Sequence, residues 1–235
     1  MPSFNLGTAK GKSIVLNYET EAAVKHVSNS DSCFDLILKQ INNGKIYERY
    51  LLNKENLIVL DVGANVGLFS LYAHDVCRKL FSIEPTPSHF DLLKGFCAGY
   101  DNIELHNLAV SNLNGQTDFY LENGNTTMNS LVKRAASAQK KISIQCVRLD
   151  DFVKDVVKEK VDFAKIDIEG SEYVALSEEI VSNLSSLVRS VFVEVHTQER
   201  TFDGAVSLFR ARFEKFGYKT ERHGVDGVFA WRNDE

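Results

Sequence analysis

The chain has 235 residues, of which 44% are hydrophobic and 25% charged, with a formal net charge of -5. That length and balance suit one globular core, and a second large domain is not expected. They exclude the basic footprint of a nucleic-acid binder, and no run approaches the roughly 20 apolar residues of a membrane helix.

The N-terminal dozen residues are polar and contain glycine, with no apolar core of signal-peptide length. The cysteines, Cys33, Cys77, Cys97 and Cys146, are scattered without a C-x-x-C pair. Reduced, mostly buried thiols in a cytoplasmic protein are expected. Residues 14–18 read as a short strand. Asp31 can cap a helix whose apolar stripe is Phe34, Ile37, Leu38 and Ile41, and Asn43-Gly44 would end it. Residues 1–56 are therefore taken as an N-terminal cap or lid with a short helical part. A surface helix there could mediate a homodimer. Tyr47 and Glu48 could contact a ligand from this segment, or equally form an ordinary helix or turn face.

Residues 57–235 read as the main domain. Strands are expected at 57–61, 80–84 and 103–106, with helices near 66–77 and 87–98 between them. Pro85 and Pro87 suit a loop opening the second helix. Residues 117–121 and 142–147 read as strands joined by a polar stretch. This is an antiparallel excursion, spanning 112–148, where a regular βα unit would place a helix. A short helix starts at Leu149. Strong buried strands at 161–168 and 188–195 flank a helix at 171–184. A helix at 203–215 and strands at 218–222 and 226–231 complete the pattern. The alternation predicts an α/β, Rossmann-like fold, a mostly parallel seven-stranded sheet with helices on both faces.

The stretch Ile58-Val59-Leu60-Asp61-Val62-Gly63-Ala64-Asn65-Val66-Gly67 carries the chemistry. It is a strand feeding a helix through a glycine turn, the place where open α/β sheets bind nucleotides. The dinucleotide fingerprint is G-x-G-x-x-G. Asn65 replaces its second glycine and would crowd a pyrophosphate. Asp61 would repel a diphosphate but suits a cationic ligand. S-adenosylmethionine, with an amino group, a sulfonium and no phosphate, fits both facts. Glu84 ends the next strand, Leu80-Phe81-Ser82-Ile83-Glu84-Pro85, where an acid can accept hydrogen bonds from both ribose hydroxyls.

These residues, together with Asn107-Leu108-Ala109-Val110-Ser111, the run from Lys165 through Asp167, Glu169 and Gly170 to Glu172, and Glu194-Val195-His196, resemble the FkbM family within the class I S-adenosylmethionine-dependent methyltransferases. The resemblance spans residues 57 to 196. It implies a cofactor site made by Asp61, Gly63, Ala64, Asn65, Gly67, Glu84, Pro85, Asn107, Ala109 and Asp167, with S-adenosylhomocysteine as product. It also implies O-methylation of a small-molecule, natural-product or glycan hydroxyl. In such folds the strands ending at Asp61, Asp167 and Glu194 stand side by side.

An alcohol is a weak nucleophile, so a positioned base is expected to help. Strand alternation puts Lys165, Asp167 and Glu169 on one face, and Glu194 with His196 on another strand. His196 is the expected base, because its ordinary pKa lies near the working pH. Asp167 or Glu194 would orient it or bind the substrate hydroxyl. The same acids could hold a divalent cation, but no tight metal spacing is present and a metal is not the favoured reading. Polar residues 125–130 suit a hydroxyl-rich ligand. His26, His74, His89, His106 and His223 lack acidic partners at suggestive spacing and are expected to be structural or at the surface. A non-catalytic S-adenosylmethionine-binding module and an NAD(P)-dependent oxidoreductase are the rival readings. Tyr50 and Lys54 have the dehydrogenase spacing but precede the glycine loop.

Overall fold

A computed structural model describes residues 3–17, 46–122, 128–133, 139–197 and 201–233. The helix expected between Asp31 and Ile41, Cys33, His26 and residues 125–127 lie outside these. The described N-terminal part is a hairpin of β1 (Ser3–Gly7) and β2 (Ser13–Asn17), followed by the single-turn helix α1 (Glu48–Leu51). The hairpin turn docks on the domain through the Ala9 amide, which donates to the Tyr72 carbonyl.

The sheet has seven strands. Five run parallel, in the spatial order β10 (Val188–Glu194), β9 (Val161–Ile166), β3 (Leu57–Val62), β4 (Cys77–Ile83), β5 (Ile103–His106). Beyond β10, β12 (Gly227–Trp231) and then β11 (Lys219–His223) pair antiparallel. The chain leaves β3 toward β4 on one side and returns to β9 on the other. That places the switch point of the sheet at the carboxyl ends of β3 and β9, where such sheets leave a crevice.

Alternate residues of each strand face opposite layers. Leu60, Val62, Ala164, Ile166, Val191 and Val193 pack against α4 (Leu149–Phe152), α6 (Glu178–Leu184) and α7 (Phe202–Lys215). Val59, Phe163 and Phe192 face α2 (Leu68–Ala73), α3 (Pro87–Cys97) and the N-terminal residues Leu6, Tyr47 and Leu51. The expected 171–184 helix is two pieces, α5 (Glu172–Ala175) and α6. Leu176 leaves helical geometry and Ser177 recaps the chain by accepting from the Ile180 amide. The 161–168 strand stops at Ile166, because Glu169 and Gly170 turn the backbone at positive φ.

The excursion is a three-stranded sheet: β6 (Ala109–Ser111) runs parallel to β8 (Gln139–Arg148), and β7 (Gly115–Glu122) pairs antiparallel on its other side. Cys77, Cys97 and Cys146 are free thiols. No helix among the described residues is long and apolar enough to cross a membrane.

Candidate active site

A cavity opens at the switch point. Gly63, Ala64, Asn65 and Val66 of the β3–α2 loop, Glu84, Pro85 and Thr86 after β4, and Lys165, Asp167, Glu169 and Glu194 from β9 and β10 all line it. The loop is fixed by the Gly63 and Ala64 amides, which both donate to the Ile83 carbonyl at 2.9 Å. Two residues need a left-handed backbone, Gly63 at φ 82° and Gly67 at φ 92°. Gly67 closes the loop against α3, where a Cβ would press on Leu93. Asn65 takes φ 53°, a conformation that asparagine tolerates better than most residues.

Glu84 is 5% exposed and holds the loop with both oxygens. It accepts from the Asn65 amide and from the Thr86 amide, each at 2.8 Å. Burial alone would raise its pKa, but His89 and the Thr86 contacts outweigh it and hold the carboxyl below its ordinary value. Glu84 is therefore a fixed anion. Each of its oxygens has a second acceptor lobe. His89, read from the sequence as lacking an acidic partner, lies 2% exposed with Nδ1 3.7 Å from Glu84. Its position in the first turn of α3 aims it back at the strand end, which no local spacing announces. Asn107 does not line the cavity. Its side-chain amide donates to the Glu84 carbonyl at 2.8 Å and to the Pro85 carbonyl at 3.2 Å, shaping the loop from behind.

Asp61 is fully buried and does not line the cavity. It accepts from Ser70 Oγ at 2.6 Å, and its other oxygen lies 3.6 Å from Lys165 Nζ. Lys165 in turn donates to the Gly63 carbonyl at 3.0 Å and lies 3.3 Å from Asp167. A lysine thus stands between Asp61 and the cavity. It cancels the carboxylate and ties β9 to the loop.

The strand ends converge as alternation predicts. His196 Nδ1 lies 3.0 Å from Glu172, and its Nε2 lies 3.5 Å from Glu169 and 3.9 Å from Asp167. Burial lowers the imidazole pKa, but the Glu172 hydrogen bond and three carboxylate charges outweigh it and hold it at about 10. His196 is a cation at neutral pH. Glu194 moves the opposite way from an ordinary carboxylate: the Asp167 charge, then burial, push it up to about 8.

The excursion supplies the remaining wall through Phe119, Asn129 and Leu131, and the N-terminal segment supplies Tyr47. Asn129 donates to Thr86 Oγ1 at 3.3 Å, while Ser130 Oγ donates to the Glu169 carbonyl at 2.8 Å. The strap therefore joins both lips of the crevice. Tyr47 packs edge-on against Phe69, ring centroids 4.7 Å apart, and against Phe192 at 5.5 Å.

A profile of the Methyltransferase FkbM domain matches residues 61–220, which include the carboxyl ends of the five parallel strands. The chain belongs to the FkbM methyltransferase family. It is 25% identical over 175 residues to the 2-O-methyltransferase NoeI of Sinorhizobium fredii, covering 67% of this chain and 70% of that protein. It is 27% identical over 172 residues to the methyltransferase sdnD of Sordaria araneosa, covering 59% of this chain and 66% of that one. Among solved structures, a SAM-dependent methyltransferase from Aquifex aeolicus aligns with TM-score 0.48 and 13% identity, over 90% of this chain and 98% of that one.

In this FkbM methyltransferase, Gly63, Ala64, Asn65, Glu84, Pro85, Ala109, Asp167 and Glu194 line the cavity, as does Lys165. Asp61, Gly67 and Asn107 stand behind the wall, and His196 stands beside it. The residues that sequence reasoning left without a role are Glu172, His89, Thr86, Phe119 and Leu131. Glu172 lies inside the family motif, so the motif pointed to it without saying what it does.

The two raised pKa values predict how the FkbM fold responds to pH. A group whose pKa is higher folded than unfolded adds stability at low pH, and the gain is lost as pH rises through the folded value. For His196 the gain is complete below its ordinary 6.5 and lost on rising through about 10; for Glu194 it is complete below 4.5 and lost through about 8. The urea midpoint, measured in EDTA, should therefore fall between pH 6.5 and pH 9.5, and fall less in His196→Asn. A midpoint that rises over that window would contradict the arrangement.

Proposed function

We propose that this protein transfers the methyl group of S-adenosylmethionine to a hydroxyl of a small molecule or glycan. The observation that carries the reading is the buried, hydrogen-bonded Glu84 at one lip of a switch-point cavity whose other lip is the cluster of Asp167, Glu169 and Glu194. An anion held there can accept from two ribose hydroxyls. The loop at 63–66 would bound the methionine tail, and Ala109 with Val110 would flank the adenine. Supplied by the cofactor, the methyl leaves sulfur as the acceptor oxygen bonds to it, and the hydroxyl proton must go to a nearby base.

His196, already protonated, is poorly placed for that role. Glu194 suits it: Asp167 keeps its pKa near the working pH, where proton transfer is most effective. Asp167 and the His196 cation then set the field in which the proton moves. Likeness to a protein named as a 2-O-methyltransferase supports oxygen as the acceptor atom.

Calorimetry with S-adenosylhomocysteine tests the cofactor half. Micromolar binding is expected, with none for NAD. Glu84→Ala should weaken it by about 100-fold, since two hydrogen bonds to a charged group are worth about 3 kcal/mol or more. Glu84→Gln keeps the side chain's size but offers one carbonyl oxygen, enough for only one of the two loop amides, and should bind more weakly than the parent. Undiminished binding in both variants would remove the ribose role, and no binding to the parent would remove the reading.

A further inference from the structure

We propose that Asp167, Glu169 and His196 form a binding site for one divalent transition-metal ion, seated at the mouth of the cavity. One ligand atom from each of the three lies within 4.8 Å of the other two. Two carboxylates and an imidazole are a donor set that suits an ion such as Mn(II), which accepts both oxygen and nitrogen. Donors about 2.1 Å from a shared octahedral ion stand about 3 Å apart, so small inward rotations of these partly exposed side chains would close the site.

The second observation lies behind the imidazole. Glu172 is fully buried, and its Oε1 receives both His196 Nδ1, at 3.0 Å, and the Ile168 amide, at 3.0 Å. Its Oε2 is buried with no hydrogen-bond partner among the described residues. A carboxylate clamped on one imidazole nitrogen fixes the ring and turns the other nitrogen outward, which is the arrangement that supports metal-bound histidines. Here that other nitrogen points between Asp167 and Glu169. A fully buried carboxylate with an unpaired oxygen is costly to keep. A nearby dication would offset it better than an imidazolium does, and would take Nε2 as a neutral ligand.

The ligands come from elements that the fold holds rigidly. Asp167 follows β9, and its amide donates to the Val62 carbonyl at 3.0 Å. Glu169 occupies a turn at φ 55°, and its carbonyl is held by Ser130. His196 follows β10, where the preceding Val195 amide donates to the Asp226 carbonyl at 2.9 Å. Asp167 and Glu169 also line the cavity, so an ion between them would have open coordination positions facing the acceptor end. An ion held there by Asp167, Glu169 and His196 would supply Lewis acidity to an acceptor hydroxyl, and Glu194 would take the proton that the hydroxyl gives up.

Titration of the chelator-stripped full chain with Mn(II) alone, followed by electron paramagnetic resonance, tests this. One ion per chain is expected in the micromolar range, with spin-echo modulation from one directly bound imidazole nitrogen. Glu169→Gln and His196→Ala should each weaken binding more than tenfold, and Glu172→Gln, which touches no ion, by 10 to 100-fold. Should His196→Ala fail to fold, the nitrogen signal of the parent and the Glu169→Gln affinity carry the test. No binding at millimolar Mn(II), no nitrogen coupling, or equal affinity in the folded variants would overturn the site. S-adenosylhomocysteine calorimetry on the same samples keeps the two questions apart. Cofactor binding without Mn(II) binding overturns the metal site only, and the reverse overturns methyl transfer only.

Discussion

Replacing Lys165 by methionine is expected to destabilise the protein by about 3–5 kcal/mol, the usual effect of removing one partner from a buried ion pair. The Lys165 side chain is 9% exposed and that of Asp61 is 0%. Methionine keeps the stem and its packing but removes the ammonium. Asp61 would retain Ser70 as a donor and lose the only cation beside it among the described residues. The Gly63 carbonyl would lose its donor as well. The second substitution Asp61→Asn, made in the same chain, should restore most of the loss, because neither member of this buried pair then carries a charge. Urea denaturation of the single and double variants measures the coupling. Equal midpoints for parent and Lys165→Met would show that the lysine is not the counter-ion.

Gly63→Ala should be at least as severe, about 4 kcal/mol or more, which puts it among the exceptional single substitutions. Two effects add. Residue 63 sits at φ 82°, where a side chain is strained. A Cβ there would also overlap the carbonyl oxygen of Asp167, a backbone atom that cannot swing aside. The ends of β3 and β9 would have to part, and the cavity floor lies between them. Gly11 provides the control: it has φ 73° and nothing within 4 Å of its Cβ position. Gly11→Ala should therefore show the strain alone, about 1 kcal/mol. If both alanine variants melt together, steric overlap is not what reserves position 63 for glycine.

Most of the fold could be read from local pattern. The buried strands at β3, β9 and β10 are near-continuous apolar runs, and the turns between them carry glycine or proline. These signals act over a few residues, so the order of the elements followed, while some ends, such as that of β9 at Ile166, did not. Glu84 was legible because the strand and its terminal acid are adjacent in sequence. The role of Asp61 was not. Whether an acid at a strand end faces ligand or core depends on what crosses it, and here a lysine 104 positions later intervenes. His196 was legible as part of a cluster, but its charge was not. Its charge state is set by Glu172 beneath it, and that contact exists only once α5 is folded. Asn129 fell within the polar stretch singled out for a hydroxyl-rich ligand, but the walls formed by Phe119 and Leu131 were hidden, since nothing in a polar excursion states which strand ends it will bridge. The split at Ser177 was missed because apolar spacing continues across it, while a single serine resets the helix.

The antiparallel strand β12 has a consequence for synthesis. It lies between β10 and β11, hydrogen-bonded on both sides. Until residues 227–231 have left the ribosome, β10 presents an unpaired edge, and β11 has no neighbour to join. The ladder that supports Glu194 and His196 is therefore completed only once β12 has been translated. A nascent chain halted before residue 227 would hold β3, β4, β5 and β9 while leaving the acceptor side unfinished. Such a chain offers an open strand edge to chaperones or to other unfinished copies.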